Sequence, residues 1–271
     1  MAVILDSGTV RLSYFVSGDG QPVTLLHGFT QSGESWRELI SLMPHGWRFI
    51  VPDLRGHGKT RIDDGTACSM DSCTSDIVAL WDHLGVQRSH VVGYSMGGRL
   101  GLHVATHRPE RTASLLTLGA HAGLYEPERT ERRCEDNALA ERIESDGVAA
   151  FVDHWGALPM FRGYERRGAA YVAHVREHRM KNEATGLACS LRGMGAGAME
   201  PLWDRLRNVE VPCTFVAGAL DARYIEYAKR LAQTVEGGTT ELVDGAGHAA
   251  HMEEPDLFAR ILTRHLEAAA G

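Results

Sequence analysis

Ser95 lies between two glycines in Gly93-Tyr94-Ser95-Met96-Gly97, after an apolar β-branched stretch and before a helical pattern. A serine in a tight strand-to-helix turn stands clear of the backbone, and the flanking glycines let that turn close without side-chain collisions. A neutral hydroxyl is a poor nucleophile or base and needs an imidazole to take its proton. Fourteen histidines are available, so position has to choose among them. His248 is the candidate, because Val243-Asp244-Gly245-Ala246-Gly247-His248 reads as a strand end running into a glycine-rich loop. The imidazole in turn needs a carboxylate to fix its tautomer. Asp221, which follows a strand pattern at 213–217 through Gly218-Ala219-Leu220, fits that role. Negative charge developing on a carbonyl oxygen needs two backbone N–H groups aimed at one point. Met96, directly after the serine, and Phe29 in His27-Gly28-Phe29 are placed to supply them. His57, in the turn Asp53-Leu54-Arg55-Gly56-His57-Gly58, reads as structural. Arg99 falls four residues past Ser95, on the same helix face one turn deeper. A cation there suits an anionic substrate; the alternative is a salt bridge to a nearby acid.

These residues need a scaffold. Short apolar runs at 10–16, 23–26, 49–52, 90–93, 113–118, 213–217 and 240–243 alternate with helical patterns at 33–42, 70–84, 95–107, 225–234 and 255–268. That alternation predicts an α/β fold, a mostly parallel central sheet flanked by helices. Ser95, Asp221 and His248 then all leave the sheet from the same edge. From about 121 to 200 the strand signal disappears, and amphipathic helices rich in Arg and Glu take over, broken at Gly147, Pro159, Gly163 and the cluster Gly193-Met194-Gly195-Ala196-Gly197. A stretch of that length predicts an inserted helical cap over the strand ends. The chain would then divide into core (1–120), cap (121–200) and core again (201–271).

Composition removes several classes of function. The net charge of -7 leaves no broad basic field for nucleic acid or an anionic membrane surface. Only three of the 28 basic residues are lysines, so a single arginine is a weak functional signal in this chain. The opening Met1-Ala2-Val3-Ile4-Leu5-Asp6 does not read as a secretory leader, and no apolar run reaches the roughly 20 residues that span a bilayer. Five scattered cysteines without C-x-x-C spacing argue against a disulfide framework or a zinc site. A cytoplasmic location is expected; oligomeric state is not legible.

His27-Gly28-Phe29, residues 53–58, Gly93 to Gly97, Asp221 and Gly247-His248 resemble the α/β-hydrolase superfamily over nearly the whole chain. The order Ser95, Asp221, His248 matches that superfamily's triad. Serine at 95 sets the chain apart from haloalkane dehalogenases and epoxide hydrolases, whose nucleophile is a carboxylate. Residues 95–100, His121-Ala122-Gly123-Leu124 and Leu191-Arg192-Gly193-Met194-Gly195 resemble one branch, the 2-succinyl-6-hydroxy-2,4-cyclohexadiene-1-carboxylate synthases of menaquinone biosynthesis. That resemblance implies substrate-binding arginines at Arg99, Arg133 and Arg179, and pocket residues at Tyr94, Trp155 and Phe161. Arg129 and Arg132 compete with Arg133, and Arg176 with Arg179. One departure concerns the pocket: where many members of this branch carry Thr and Gln, this chain has Ala196 and Met199.

The resemblance implies a carbon–oxygen lyase that releases pyruvate from a small cyclohexene tricarboxylate, with no metal or organic cofactor. A carboxylesterase or carbon–carbon bond hydrolase uses the same triad and is the alternative. Three guanidiniums favour the first, because neutral esters gain nothing from them. A catalytically silent binding module would need a missing triad member, and none is missing.

Overall fold

The computed structural model describes residues 3–6, 8–63 and 65–270. Met1 and Ala2, part of the opening read above for a leader, lie outside them. The strands are β1 (Val3–Asp6), β2 (Val10–Ser17), β3 (Gly20–Leu26), β4 (Gly46–Pro52), β5 (Arg61–Ile62), β6 (Ser89–Tyr94), β7 (Thr112–Leu118), β8 (Cys213–Gly218) and β9 (Thr239–Val243). The helices are α1 (Arg37–Leu42), α2 (Met70–His83), α3 (Met96–His107), α4 (Glu128–Gly156), α5 (Ala169–Arg179), α6 (Ala184–Met194), α7 (Trp203–Leu206), α8 (Ala222–Thr234), α9 (Ala250–Glu253) and α10 (Pro255–Ala270).

The strands form one sheet in the order β1-β2-β4-β3-β6-β7-β8-β9, with β5 paired to β2. Pairings from β4 through β9 are parallel, whereas β1, β2 and β5 pair antiparallel. Every residue of β6 and β8 is buried, as expected of strands covered on both faces. Helices α2, α3 and α8 pack one face through Ile77, Leu100 and Leu231; α1 and α10 pack the other through Leu39, Phe258 and Leu262.

All seven expected strands are present. β1 and the two-residue β5 were not foreseen, because their residues are at most half-buried and carry no period-2 signal. The expected helix at 33–42 begins as a 3-10 turn over Gly33–Trp36, and α8 starts at Ala222, directly after Asp221.

Between β7 and β8 the chain is helical and carries an apolar cluster of its own, with Ile143, Phe151, Leu187 and Leu191 at its centre. The breaks follow glycine and proline. α4 is kinked at Gly147, which has φ of 82°, and a 3-10 stretch over Pro159–Arg167 ends at Gly168.

The core also holds buried histidines that burial keeps uncharged. It lowers the pKa of His27, His103 and His265 to about 4, and of His57 and His251 to about 3. A folded-state pKa below the unfolded value of about 6.5 contributes stability that is complete above that pH and lost as pH falls toward the folded value. The protein is therefore expected to lose stability steeply between pH 6.5 and about 4. Urea unfolding followed by circular dichroism at pH 7, 5.5 and 4.5 checks this, and an unchanged midpoint at 5.5 and 4.5 would refute it.

Candidate active site

Five loops converge at the C-terminal edge of the parallel strands, the usual place for a site in such a sheet. β6 delivers Ser95 with φ of 52°, a backbone conformation that L-residues rarely adopt and that costs free energy. The glycines make this turn possible: a Cβ at Gly97 would run into the Leu26 carbonyl, and one at Gly93 into that of Gly97. The Ser95 N–H is held by the Leu118 carbonyl at 2.8 Å. α3 starts at the next residue, so the Met96 N–H belongs to the first turn, where helix geometry leaves donors free.

His248 arrives on the loop after β9 and is buried; its Nε2 lies 3.1 Å from Ser95 Oγ. Its Nδ1 lies 2.8 Å from Asp221 Oδ2, from the loop after β8. Serine, imidazole and carboxylate thus form a continuous hydrogen-bonded chain. Asp244, the nearest other acid in sequence, is exposed. The Phe29 loop is braced from beneath by His27. Its Nε2 accepts the Leu54 N–H at 2.9 Å, so its Nδ1 carries the proton and donates to the Gly28 carbonyl at 2.9 Å. His57 packs edge-on against both His27 and Phe29, consistent with a structural role.

A cavity of about 490 Å³ opens above Ser95. Phe29, Ser95, Met96, Arg99, Trp155, Asp221 and His248 all line it. Arg99 is half-buried and donates to the Met194 carbonyl at 2.6 Å; it forms no ion pair among the described residues. Desolvation lowers its pKa to about 10, which still leaves it cationic at neutral pH.

The other expected pocket residues lie elsewhere. Arg133 is exposed and donates to the Gly197 carbonyl at 3.1 Å, while its neighbour Arg132 lines the cavity and pairs with Asp136 at 2.8 Å. Successive residues on a helix point about 100° apart, and here it is Arg132 that turns inward. Arg179 is buried over the Phe161 ring, 4.5 Å from its centroid, and lines a separate cavity of about 260 Å³. Phe161 stacks on Tyr164 and touches Trp155, forming a layer behind the cavity wall. Tyr94 is packed beneath the site, between His248 and His251. Of the two departures, Ala196 lines the cavity and Met199 is buried in the core.

Sequence reasoning named Arg132 only as a competitor of Arg133, and missed His121, Arg223 and Tyr224 as lining residues. The Tyr224 ring packs at a tilt against His248, with centroids 4.5 Å apart, and its position three residues after Asp221, in the first turn of α8, was the signal available.

No helix among the described residues is long and apolar enough to cross a membrane. A Bacillus subtilis (strain 168) protein provisionally named 2-succinyl-6-hydroxy-2,4-cyclohexadiene-1-carboxylate synthase is 34% identical, over 96% of this chain and 98% of its own length. Among solved structures, MenH from S. aureus superposes with a TM-score of 0.91 at 26% identity, covering 95% of this chain and 99% of that one. A thermophilic esterase from Thermogutta terrifontis gives a TM-score of 0.87 at 25% identity, over 99% of both chains. The profile of the alpha/beta hydrolase fold matches residues 21–255. With that match spanning most of its length, the chain belongs to the α/β-hydrolase fold family.

Proposed function

We propose that this protein is a carbon–oxygen lyase that eliminates pyruvate from 2-succinyl-5-enolpyruvyl-6-hydroxy-3-cyclohexene-1-carboxylate, with Ser95, His248 and Asp221 as its catalytic triad. On this reading Ser95, its proton drawn toward His248 Nε2, removes a proton alpha to the succinyl carbonyl. The electron pair moves onto the carbonyl oxygen, which the Phe29 and Met96 amides stabilise. Collapse of that enolate through the ring alkene breaks the carbon–oxygen bond to the enolpyruvyl group, which leaves as pyruvate enolate and is protonated. No acyl-enzyme forms. Residues 121–200 act as a cap over the core of 1–120 and 201–271, excluding water and closing the cavity above Ser95.

Arg99 carries the proposal. A guanidinium one turn beyond the serine, bonded to a carbonyl and to no acid among the described residues, is suited to a carboxylate. Arg132 takes the place first expected of Arg133, and Trp155 forms an apolar wall. The likeness to the Thermogutta terrifontis esterase favours a second reading, in which Ser95 attacks an ester carbonyl and water completes turnover.

Arg99→Ala separates the two. It is expected to cost about 2–5 kcal/mol in kcat/KM for the tricarboxylate, by stranding a partly desolvated carboxylate. Hydrolysis of a short neutral ester by the same variant should change little, with circular dichroism confirming the fold. If the wild type releases no pyruvate from the tricarboxylate yet turns over neutral esters, the lyase reading falls and the esterase reading replaces it.

A further inference from the structure

Asp221 orients the His248 imidazole, but the loop that carries it is rich in glycine and its backbone is by itself poorly fixed. What fixes it is a buried carboxylate five residues on. Glu253 closes α9 and turns back under the loop. Its Oε2 accepts the Gly247 N–H at 2.8 Å and its Oε1 accepts the Ala249 N–H at 3.1 Å. These two amides bracket His248 on either side. The Glu253 side chain has no exposed surface.

The same carboxylate touches the helical segment between β7 and β8. Arg166 donates to Glu253 Oε2 at 3.2 Å and also to the Gly245 carbonyl of the histidine loop. Gly163 lies directly against Glu253, and a Cβ there would stand far inside van der Waals contact with Oε2. One residue earlier, the Met252 carbonyl accepts from Arg167 at 2.6 Å and from the Tyr171 hydroxyl at 3.2 Å. The 3-10 stretch and the start of α5 therefore grip the peptide that carries Glu253.

We infer that Glu253 is a positioning residue that sets His248 through both flanking amides and makes its alignment with Ser95 depend on the seating of the helical segment. The inference rests on the Ser95–His248 reading above. It goes beyond that reading by naming what couples the two parts of the molecule. A carboxylate is required because both oxygens accept; a glutamine of the same shape would turn an NH2 group toward one of the backbone donors.

The test uses phenylmethanesulfonyl fluoride, whose attack by Ser95 forms a sulfur–oxygen bond, expels fluoride and passes the serine proton to His248. Mass spectrometry gives the labelling rate, and a neutral ester gives kcat and KM. Misplacing a catalytic group by an ångström costs between about tenfold and a hundredfold. Glu253→Gln is expected to slow labelling and kcat within that range, with KM within about twofold of wild type. Gly163→Ala, which displaces the carboxylate from the other side, should have the same effect, and the double variant should be no slower than the worse single one. Arg166→Ala, at a half-exposed position, should retain the fold and slow labelling more modestly. If Glu253→Gln or Gly163→Ala is folded and labels at the wild-type rate while Ser95→Ala does not label, the positioning inference is overturned and the site reading stands. If Glu253→Gln fails to fold, Gly163→Ala decides in the same way, and if that variant also fails to fold, wild-type labelling of Arg166→Ala overturns the inference. Labelling of Ser95→Ala at the wild-type rate overturns the site reading, and the inference with it.

Discussion

Ser95→Ala and His248→Ala are each expected to lower kcat by a factor on the order of a thousand or more, whichever substrate is used, while leaving the fold intact. The magnitude follows from the hydrogen-bonded chain. On the proposed triad, nothing attacks or abstracts without the hydroxyl, and nothing receives the proton without the imidazole 3.1 Å away. Asp221→Asn is the more discriminating change. A carboxylate at 2.8 Å from Nδ1 holds the proton on that nitrogen and keeps the Nε2 lone pair toward serine. An amide can donate to Nδ1 instead, turning an Nε2–H toward Ser95 and blocking proton uptake. Steady-state rates, with circular dichroism to confirm folding, check all three. A folded Asp221→Asn variant with full activity would remove Asp221 from the role, and Asp244→Asn would be the next variant to assay.

The second large effect concerns stability. Arg55 and Asp76 form a buried bidentate pair, with Nε and Nη2 at 2.5 and 2.8 Å from the two carboxylate oxygens. Arg55 also donates to the Ala67 carbonyl at 2.7 Å. The pair ties the 53–58 turn to α2. That turn is held from its other end by Asp53, which accepts the Gly33 and Lys59 N–H groups. Asp76→Ala leaves a buried guanidinium without its anion, and breaking a buried pair from one side costs about 3–5 kcal/mol. For a domain of this size that is a fall in Tm on the order of 10 °C. Replacing both residues with apolar ones should cost less than either single change, because no uncompensated charge remains. Thermal melts of the two single variants and the double variant test this. A double variant as unstable as the sum of the singles would show that the pair acts through packing instead of charge.

How much could be read from the residues alone depended on which physical signal each one carried. The strands were legible because parallel strands covered on both faces become short apolar runs, and β6 and β8 are buried at every position. The meeting of Ser95, Asp221 and His248 was legible because a parallel sheet sends all its loops to one edge, so three residues at strand ends have few places to go. The cavity wall was harder. In the run Arg129, Arg132, Arg133 charge is spread around the first turns of α4 without an apolar stripe, so nothing in the pattern says which arginine turns inward. Arg179 and Phe161 carry the right chemistry for a pocket, but their positions are set by how α5 and the 3-10 stretch lean on each other. That is a tertiary property with no local signature. Glu253 was invisible for a similar reason: its meaning lies in two backbone amides a few residues upstream, and sequence does not show where backbone donors point.

The hydrogen bond between His248 and Ser95 joins residues 153 positions apart. On the ribosome, with synthesis at about 5–20 residues per second, roughly eight to thirty seconds separate their emergence. Throughout that interval the strained serine turn can exist without a base, and Glu253, which steadies the histidine loop, is translated later still. On the proposed triad, a nascent or prematurely terminated chain carries an unactivated hydroxyl and does not act on metabolites it meets. Reactivity of the serine is in effect a report that the last strand and the loop beyond it have been made and docked.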